Sequence, residues 1–508
     1  MTSVQPAVDF SNYLPPGIYT LIDSGPQIAV NSSLPNAVGL YGESVGFQTQ
    51  VETVLINPDT DDTTPSLTRT LSHQGIDTDL LTVTNINSGQ SYTVNTDYTI
   101  ALVSGTQGTD DASYALKRVI GGHIAPGDAV QVTYQYTDTT YYNAYTFYEY
   151  DDVESAYGKP FDDNGDIQSP LSLAARFAFL NGAYKIVCVA INPDDDDEWG
   201  SALAKLAYQP SVAVVVPCSG DQNLHAAVQQ HVDSQSSQRY ERRGIVAVDG
   251  TTVPVSSAQR VIYAQEITDE RVAMVSPDTF KYYAPELSKV ISLGGQYMAA
   301  SLAGMTVAMS FAQPLTRKRL SGWRDVGELQ PDGQKTNETA NGLLVIEKNP
   351  QQLIQVRHGV TTDFTNLNTR EWSVIGQQDA LAYRMRDYLD AANLIGQPIY
   401  SYTLINVKAT AEAALQSLLR DSLLVGYNGL KVRQLLTNPD VIEVSFGWRP
   451  AYPLNYLVVR FAISLSTGDI SVGTTGNSAN STSTSTITTP SSSAANDFGG
   501  SANTLQSI

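Results

Sequence analysis

The sequence predicts a multidomain α/β protein. It has a central α/β domain with a mostly parallel sheet, an inserted β-sandwich-like domain, and a C-terminal α+β module with extended N- and C-terminal arms. Three observations carry this. After Asp151, short apolar runs alternate with helical patterns at the spacing of strand–helix–strand units. Between Gln48 and Thr140 the texture shifts to Thr, Asp, Asn, Gly and Tyr, with brief alternating runs between turn residues. Beyond Ser466, a Ser/Thr/Gly/Asn-rich stretch lacks the large apolar residues needed to bury a core.

Residues 1–22 read as an extended arm. Leu14-Pro15-Pro16-Gly17-Ile18-Tyr19 forbids a helix and favours extended backbone, ending in a short strand that includes Ile18, Tyr19 and Thr20. Residues 23–47 and 141–340 form the central domain, which Ala37–Gly42 enters as a small-residue strand. The insert, residues 48–140, carries strands at Leu80–Thr84, Tyr92–Val94, Tyr98–Leu102, Tyr114–Ile120 and Ala129–Tyr136. The tyrosines from Tyr134 to Tyr150 read as the amphipathic rim of a sheet.

In the central domain, helices are expected at Leu171–Leu180, Ala202–Ala207 and Asn223–Ser234. Strands are expected at Lys185–Ile191, Val212–Val216, Gly244–Asp249 and Val272–Ser276, and Ser288–Thr306 reads as a small-residue helical region. Strands this uniformly apolar imply a sheet covered on both faces.

Residues 341–464, the C-terminal module, read strand, strand, helix, helix, strand, strand. Val441–Trp448 alternates, with Ile442, Val444, Phe446 and Trp448 on one side. Tyr456–Leu465 alternates again, so Leu457, Val459, Phe461 and Ile463 are expected on a buried side. The helix after Trp372 places Val374, Leu381, Met385, Tyr388 and Ala392 on one face and leaves Arg384, Arg386 and Asp387 nearer solvent. Gly396 and Pro398 end it. A second helix buries Ala411, Ala414, Leu415, Leu418 and Leu419, with Thr410 as N-cap and Gly426 as stop. Residues 465–508 are a Ser/Thr-rich tail.

The 508 residues carry a formal net charge of −21. That argues against duplex nucleic acid as a partner, because phosphate contacts need clustered Lys and Arg. The longest apolar runs are too short to span a bilayer, and Met1–Ser11 shows no signal peptide. Cys188 and Cys218 read as buried free thiols.

Candidate chemistry is sparse. Val214–Asp221 runs from strand through Pro217-Cys218-Ser219-Gly220 into a helix, where α/β folds place nucleophiles and phosphate cradles, yet it matches neither a nucleophile elbow nor a phosphate-binding loop. His225 and His231 are six apart and do not share a helix face. Asp162-Asp163-Asn164-Gly165-Asp166 has the oxygen spacing of half a calcium loop, but Ile167 and Leu173 stand where Gly and Glu are required. Weak divalent-cation binding there or at Asp194–Glu198 stays open. His358 shows no visible carboxylate or nucleophile partner and reads as structural. No catalytic residue, metal site or cofactor is expected.

Three stretches together resemble the tail sheath proteins of contractile bacteriophage tails. They are Pro16-Gly17-Ile18-Tyr19, the pair Gly342–Ile346 and Arg357-His358-Gly359-Val360-Thr361-Thr362, and the helix after Trp372 followed by Val441–Ser464. The resemblance covers about Leu14–Ser464 apart from the insert. It implies a structural, non-enzymatic subunit of the virion, assembled in the host cytoplasm. Stacked six-membered rings of this subunit would surround a tail tube protein, meet baseplate and tail terminator proteins, and shorten to drive the tube through a host envelope. It also implies that arms add strands to a neighbour's sheet, for which Ile18, Tyr19, Thr20, Leu457, Val459, Phe461 and Ile463 are suited. If the C-terminal module forms the inner layer, Arg384, Arg386 and Asp387 could touch the tube. The alternatives are an α/β hydrolase-like enzyme using the Cys218-Ser219 turn, or a surface adhesin or S-layer-like protein.

Overall fold

The structure, a computed structural model, describes residues 34–44, 47–57, 66–109, 111–137, 142–162, 164–191 and 198–461. Ile18, Tyr19, Thr20, Ile463, the Asp194–Glu198 loop apart from its last residue, and the Ser/Thr-rich tail therefore lie outside the described residues. Two compact units divide the chain, Met1–Asn455 and Tyr456–Ile508.

The first unit begins with β1 (Ala37–Glu43) and then builds the insert from β2 (Phe47–Leu55), β3 (Ile76–Asn85), β4 (Ser91–Tyr92), β5 (Tyr98–Ser104), β6 (Ser113–Arg118) and β7 (Ala129–Thr137). It returns through β8 (Tyr145–Phe147), α1 (Tyr150–Tyr157) and α2 (Pro170–Leu180). Alternating units follow: β9 (Ile186–Ile191), α3 (Glu198–Ala207), β10 (Val212–Pro217), α4 (Asn223–Ser237), β11 (Arg243–Val246), α5 (Ser257–Ile267) and β12 (Val272–Ser276). Next come β13 (Thr279–Ala284), β14 (Lys289–Gly294), α6 (Gly295–Ala308), β15 (Trp323–Val326), α7 (Asp332–Ala340), β16 (Leu343–Lys348) and β17 (Ile354–Val356). The unit closes with α8 (Leu367–Arg370), α9 (Trp372–Ala391), α10 (Ser401–Arg420), β18 (Gly426–Gln434) and β19 (Ile442–Arg449).

Eight strands form the central sheet in the order β17-β16-β12-β11-β10-β1-β9-β8. The six inner strands are parallel, and β8 and β17 are antiparallel edges. Every residue of β9, β10 and β12 is buried, as a sheet covered on both faces requires. One apolar cluster lies under α1, α2 and α6, and a second lies under α3, α4 and α5. Ser169 caps α2 by accepting from the Ser172 N–H, with Pro170 at the first helical position. Helix α6 crosses α2 so closely that a Cβ on Gly304 would lie 2.2 Å from the Ala178 carbonyl oxygen.

The insert pairs a four-stranded sheet, β2-β7-β3-β4, with a two-stranded ribbon, β5-β6, around an apolar cluster of its own. Strand β2 was not anticipated, because its residues alternate apolar Val51 and Leu55 with polar ones on the exposed side. The tyrosines are not one rim. Tyr134 is buried with its hydroxyl donating to Glu52 Oε1 at 2.8 Å, whereas Tyr145 and Tyr148 are exposed.

Several expected elements differ. Ser288–Thr306 splits into β14 and α6, because Lys289–Leu293 finds a partner in β13. Strands β16 and β17 join the central sheet through the β12–β16 ladder. Helix α10 starts nine residues before Thr410, with Tyr400 as N-cap and the Tyr400 N–H donating to Thr403 Oγ1 at 3.1 Å. That helix ends at Arg420, and Gly426 opens β18.

The largest correction concerns the last strands of the module. A strand not anticipated in the sequence, β18, pairs antiparallel with β19. Tyr456–Phe461 has no strand assignment, and Leu457, Val459 and Phe461 are 73 %, 71 % and 82 % exposed rather than buried.

Candidate functional site

The strand order β9-β1-β10-β11-β12 is that of a doubly wound sheet, in which ligands sit outside the carboxyl ends of the strands where the winding reverses, here β1 and β10. This crevice is filled by the chain itself. A Cβ on Gly42 would lie 2.4 Å from that of Cys218, and one on Gly220 would lie 2.3 Å from the Asp249 nitrogen. Ser44 Oγ donates to the Tyr157 carbonyl at 2.8 Å. The Asp249 carboxylate accepts from Gln296 Nε2 at 2.8 Å, beside the α6 N-terminus where an anion would otherwise bind.

The residues singled out for chemistry are held in structural roles. Burial pushes the Cys218 and Cys188 thiols up, away from thiolate character. Ser219 Oγ accepts the Asp221 N–H at 3.2 Å and shapes the turn. His225 Nε2 lies 3.2 Å from the Ala247 carbonyl. His231 sits 3.1 Å from the Arg242 guanidinium; burial first, then that positive charge, lower its pKa to about 3. The Asp162 carboxylate accepts the N–H groups of Asn164, Gly165 and Asp166, which closes a turn. Among the described residues, no group of three or more His, Cys, Asp or Glu is placed to hold a metal ion.

His358 does have a carboxylate partner. Its Nε2 is 3.0 Å from Glu371 Oε1, and both residues are buried. The pair was invisible in sequence because the loop after β17 folds back onto the start of α9.

Arg386 is not near solvent. It is 4 % exposed and forms an ion pair with buried Glu241. The cause is that α9 lies against the central domain as well as the C-terminal module, so it is buried almost all round from Trp372 to Arg386. Asp379 on the same helix receives Arg271 Nη1 at 2.8 Å and lies 3.5 Å from Arg243 Nε. Burial works against the Arg271 charge, but the Asp379 carboxylate more than offsets it; burial lowers the Arg243 pKa to about 10. Arg384 is committed to Ser417 Oγ and Asp421 Oδ2, at 2.9 and 2.8 Å, tying α9 to the end of α10. Asp387 is half-buried.

What remains open is an edge. Strands β18 and β19 pair with each other alone among the described residues, so both outer edges of the ribbon lack ladder partners. One face packs Tyr427, Leu430, Val444, Phe446 and Trp448 against α9 and α10. A two-stranded ribbon is marginal by itself, and this one gains its support from the helices it packs on. Downstream, Tyr456–Phe461 presents a run of apolar side chains to solvent.

The crevice is filled by the chain itself, and the β18–β19 ribbon has open edges among the described residues. The chain is 41 % identical to the tail sheath protein of Mycobacterium phage Bxz1 over an alignment 570 positions long, gaps included, spanning 91 % of this chain and 98 % of that protein. It belongs to the tail sheath proteins, and it is a contractile tail sheath subunit and a virion component. No protein-family model matches it. Its fold is similar to the helical sheath of the anti-feeding prophage in the contracted state, at TM-score 0.53 and 13 % identity over 89 % of this chain and all of that one. It is also similar to a chain of the anti-feeding prophage baseplate in the contracted state, at TM-score 0.51 and 15 % identity over 89 % and 99 %.

Proposed function

We propose that the subunit polymerises as stacked six-membered rings around a tail tube protein and shortens collectively to drive that tube through the host envelope. Assembly takes place in the host cytoplasm, and baseplate and tail terminator proteins bound the polymer. No nucleotide is needed, because the extended lattice is metastable from assembly. Neighbouring subunits are joined by strand addition. Leu457, Val459, Phe461 and Ile463 from one chain, and Ile18, Tyr19 and Thr20 from another, extend the β18–β19 ribbon of a third. The observation that carries this reading is the open edge of the ribbon, an aggregation hazard in a monomeric protein and a joint in a polymer. The insert is a β-sandwich-like outward decoration, and Arg384 and Asp387 remain the α9 positions for contact with the tube.

Purified full-length chain should form long hollow cylinders in negative stain, and deletion of residues 456–508 should leave folded subunits that do not polymerise. Persistent monomers of the full chain at high concentration would overturn the reading.

A further inference from the structure

Where the first compact unit ends, its last residues are fastened by side chains rather than by a ladder. Ala451 is held on both backbone groups by one amide. Its N–H donates to Gln377 Oε1 at 2.7 Å, and Gln377 Nε2 donates to its carbonyl at 3.1 Å. The second Gln377 donor goes to the Ser373 carbonyl at 3.0 Å, so both donors and the acceptor oxygen of this fully buried side chain are engaged. Tyr452 donates its hydroxyl to Asn368 Oδ1. Asn455 Nδ2 donates to Glu371 Oε1 at 3.0 Å, the same oxygen that faces His358 Nε2. Pro450 and Pro453 stiffen the segment, and the Asn455 N–H closes a tight turn onto the Pro453 carbonyl at 3.0 Å.

We propose that residues 451–455 are a force-bearing clamp, with Gln377 and the His358–Glu371 pair as its fixed jaw on the central body. The inference rests on the strand-addition reading. A donated strand moves its neighbour only if tension enters the folded body without slack. Freeing five residues would add about 17 Å of extended chain between the body and the donated strand, enough to let rings separate without pulling one another. The clamp sets where the arm leaves the body and removes that slack. It also accounts for a buried His–carboxylate pair that no chemistry uses. Gln377, Glu371 and Asn455 are positioning residues, acting on the lattice through the arm.

The test uses the full chain with Gln377→Ala, Asn455→Ala and the double variant. In the unassembled chain, exchange of the Ala451 amide hydrogen should accelerate by about tenfold or more in Gln377→Ala, while exchange in β10 and β12 stays slow. Cylinders of the double variant should form and then separate between rings under shear that wild-type cylinders survive. Asn455→Asp, which sets a second carboxylate against Glu371, should weaken them further than Asn455→Ala. Unchanged Ala451 exchange, or variant cylinders as robust as wild type, overturns the clamp. The 456–508 deletion separates the two ideas. If it abolishes cylinders while the clamp variants behave as wild type, only the clamp falls; if it leaves cylinders intact, strand addition falls and takes the clamp with it.

Discussion

Single buried charges set how this chain is held together. Asp379 on α9 serves Arg271 and Arg243, whose guanidiniums sit almost wholly out of water. Replacing it with Ala leaves two buried cations without their carboxylate, a change that costs about 3–5 kcal/mol. A urea titration of the isolated chain should show that loss as a lowered midpoint. Glu338 is a second such point. It accepts from Arg260 Nη2 at 2.9 Å, Ser276 Oγ at 2.6 Å and Gln330 Nε2 at 2.8 Å. Burial alone would raise its pKa, but hydrogen bonds from Ser257 and Ser276 and the Arg260 charge outweigh burial and hold it below the usual range. The unfolded chain therefore binds this proton more readily. The stabilisation is complete above the ordinary glutamate pKa of about 4.3 and is lost as pH falls through and below it. Glu338→Gln should lower stability near neutrality and flatten its decline towards about pH 3, as read from denaturant midpoints across that range.

Among the elements, α6 is the least tolerant of change. Its first ten residues are all buried, and Gly304 lies against the backbone of α2. Gly304→Val should destabilise by about 1–3 kcal/mol or more through overpacking, visible as a drop in thermal midpoint; an unchanged midpoint would mean that α2 can give way. The elements also show which features sequence could reveal. Strands β9, β10 and β12 were legible because burial on both faces leaves almost only apolar residues. Strand β18 was not, since Gly429 sits at positive φ in a register shift between Asn428 and Lys431 that breaks the period of two. With that strand hidden, Val441–Trp448 and Tyr456–Leu465 were read as the last two strands of the module. The site was legible only where it depends on local pattern. Leu457, Val459 and Phe461 stood out by alternation, whereas the Gln377–Ala451 and Glu371–Asn455 contacts join residues remote in sequence. The same remoteness hid the burial of Arg386, because its partner Glu241 lies on another part of the fold.

At the scale of the whole molecule, the insert stands on its own core. Val54, Leu81, Val83, Tyr98, Leu116, Val130 and Val132 pack together within it. A fragment of residues 47–137 should therefore fold alone and melt cooperatively by circular dichroism; a non-cooperative melt would mean that it borrows stability from the body. Its place in the chain has a consequence for synthesis. Strand β1 occupies the middle of the central sheet, and its ladder partners pair Val38 with Ile186 and Val214. At a translation rate of ~5–20 residues per second, β1 waits roughly 7–30 s for its first partner. Throughout that interval an apolar strand, Ala37 to Tyr41, is tethered to a nascent chain with nothing to pair with. An insert that folds as soon as it emerges shortens the free chain between β1 and β9.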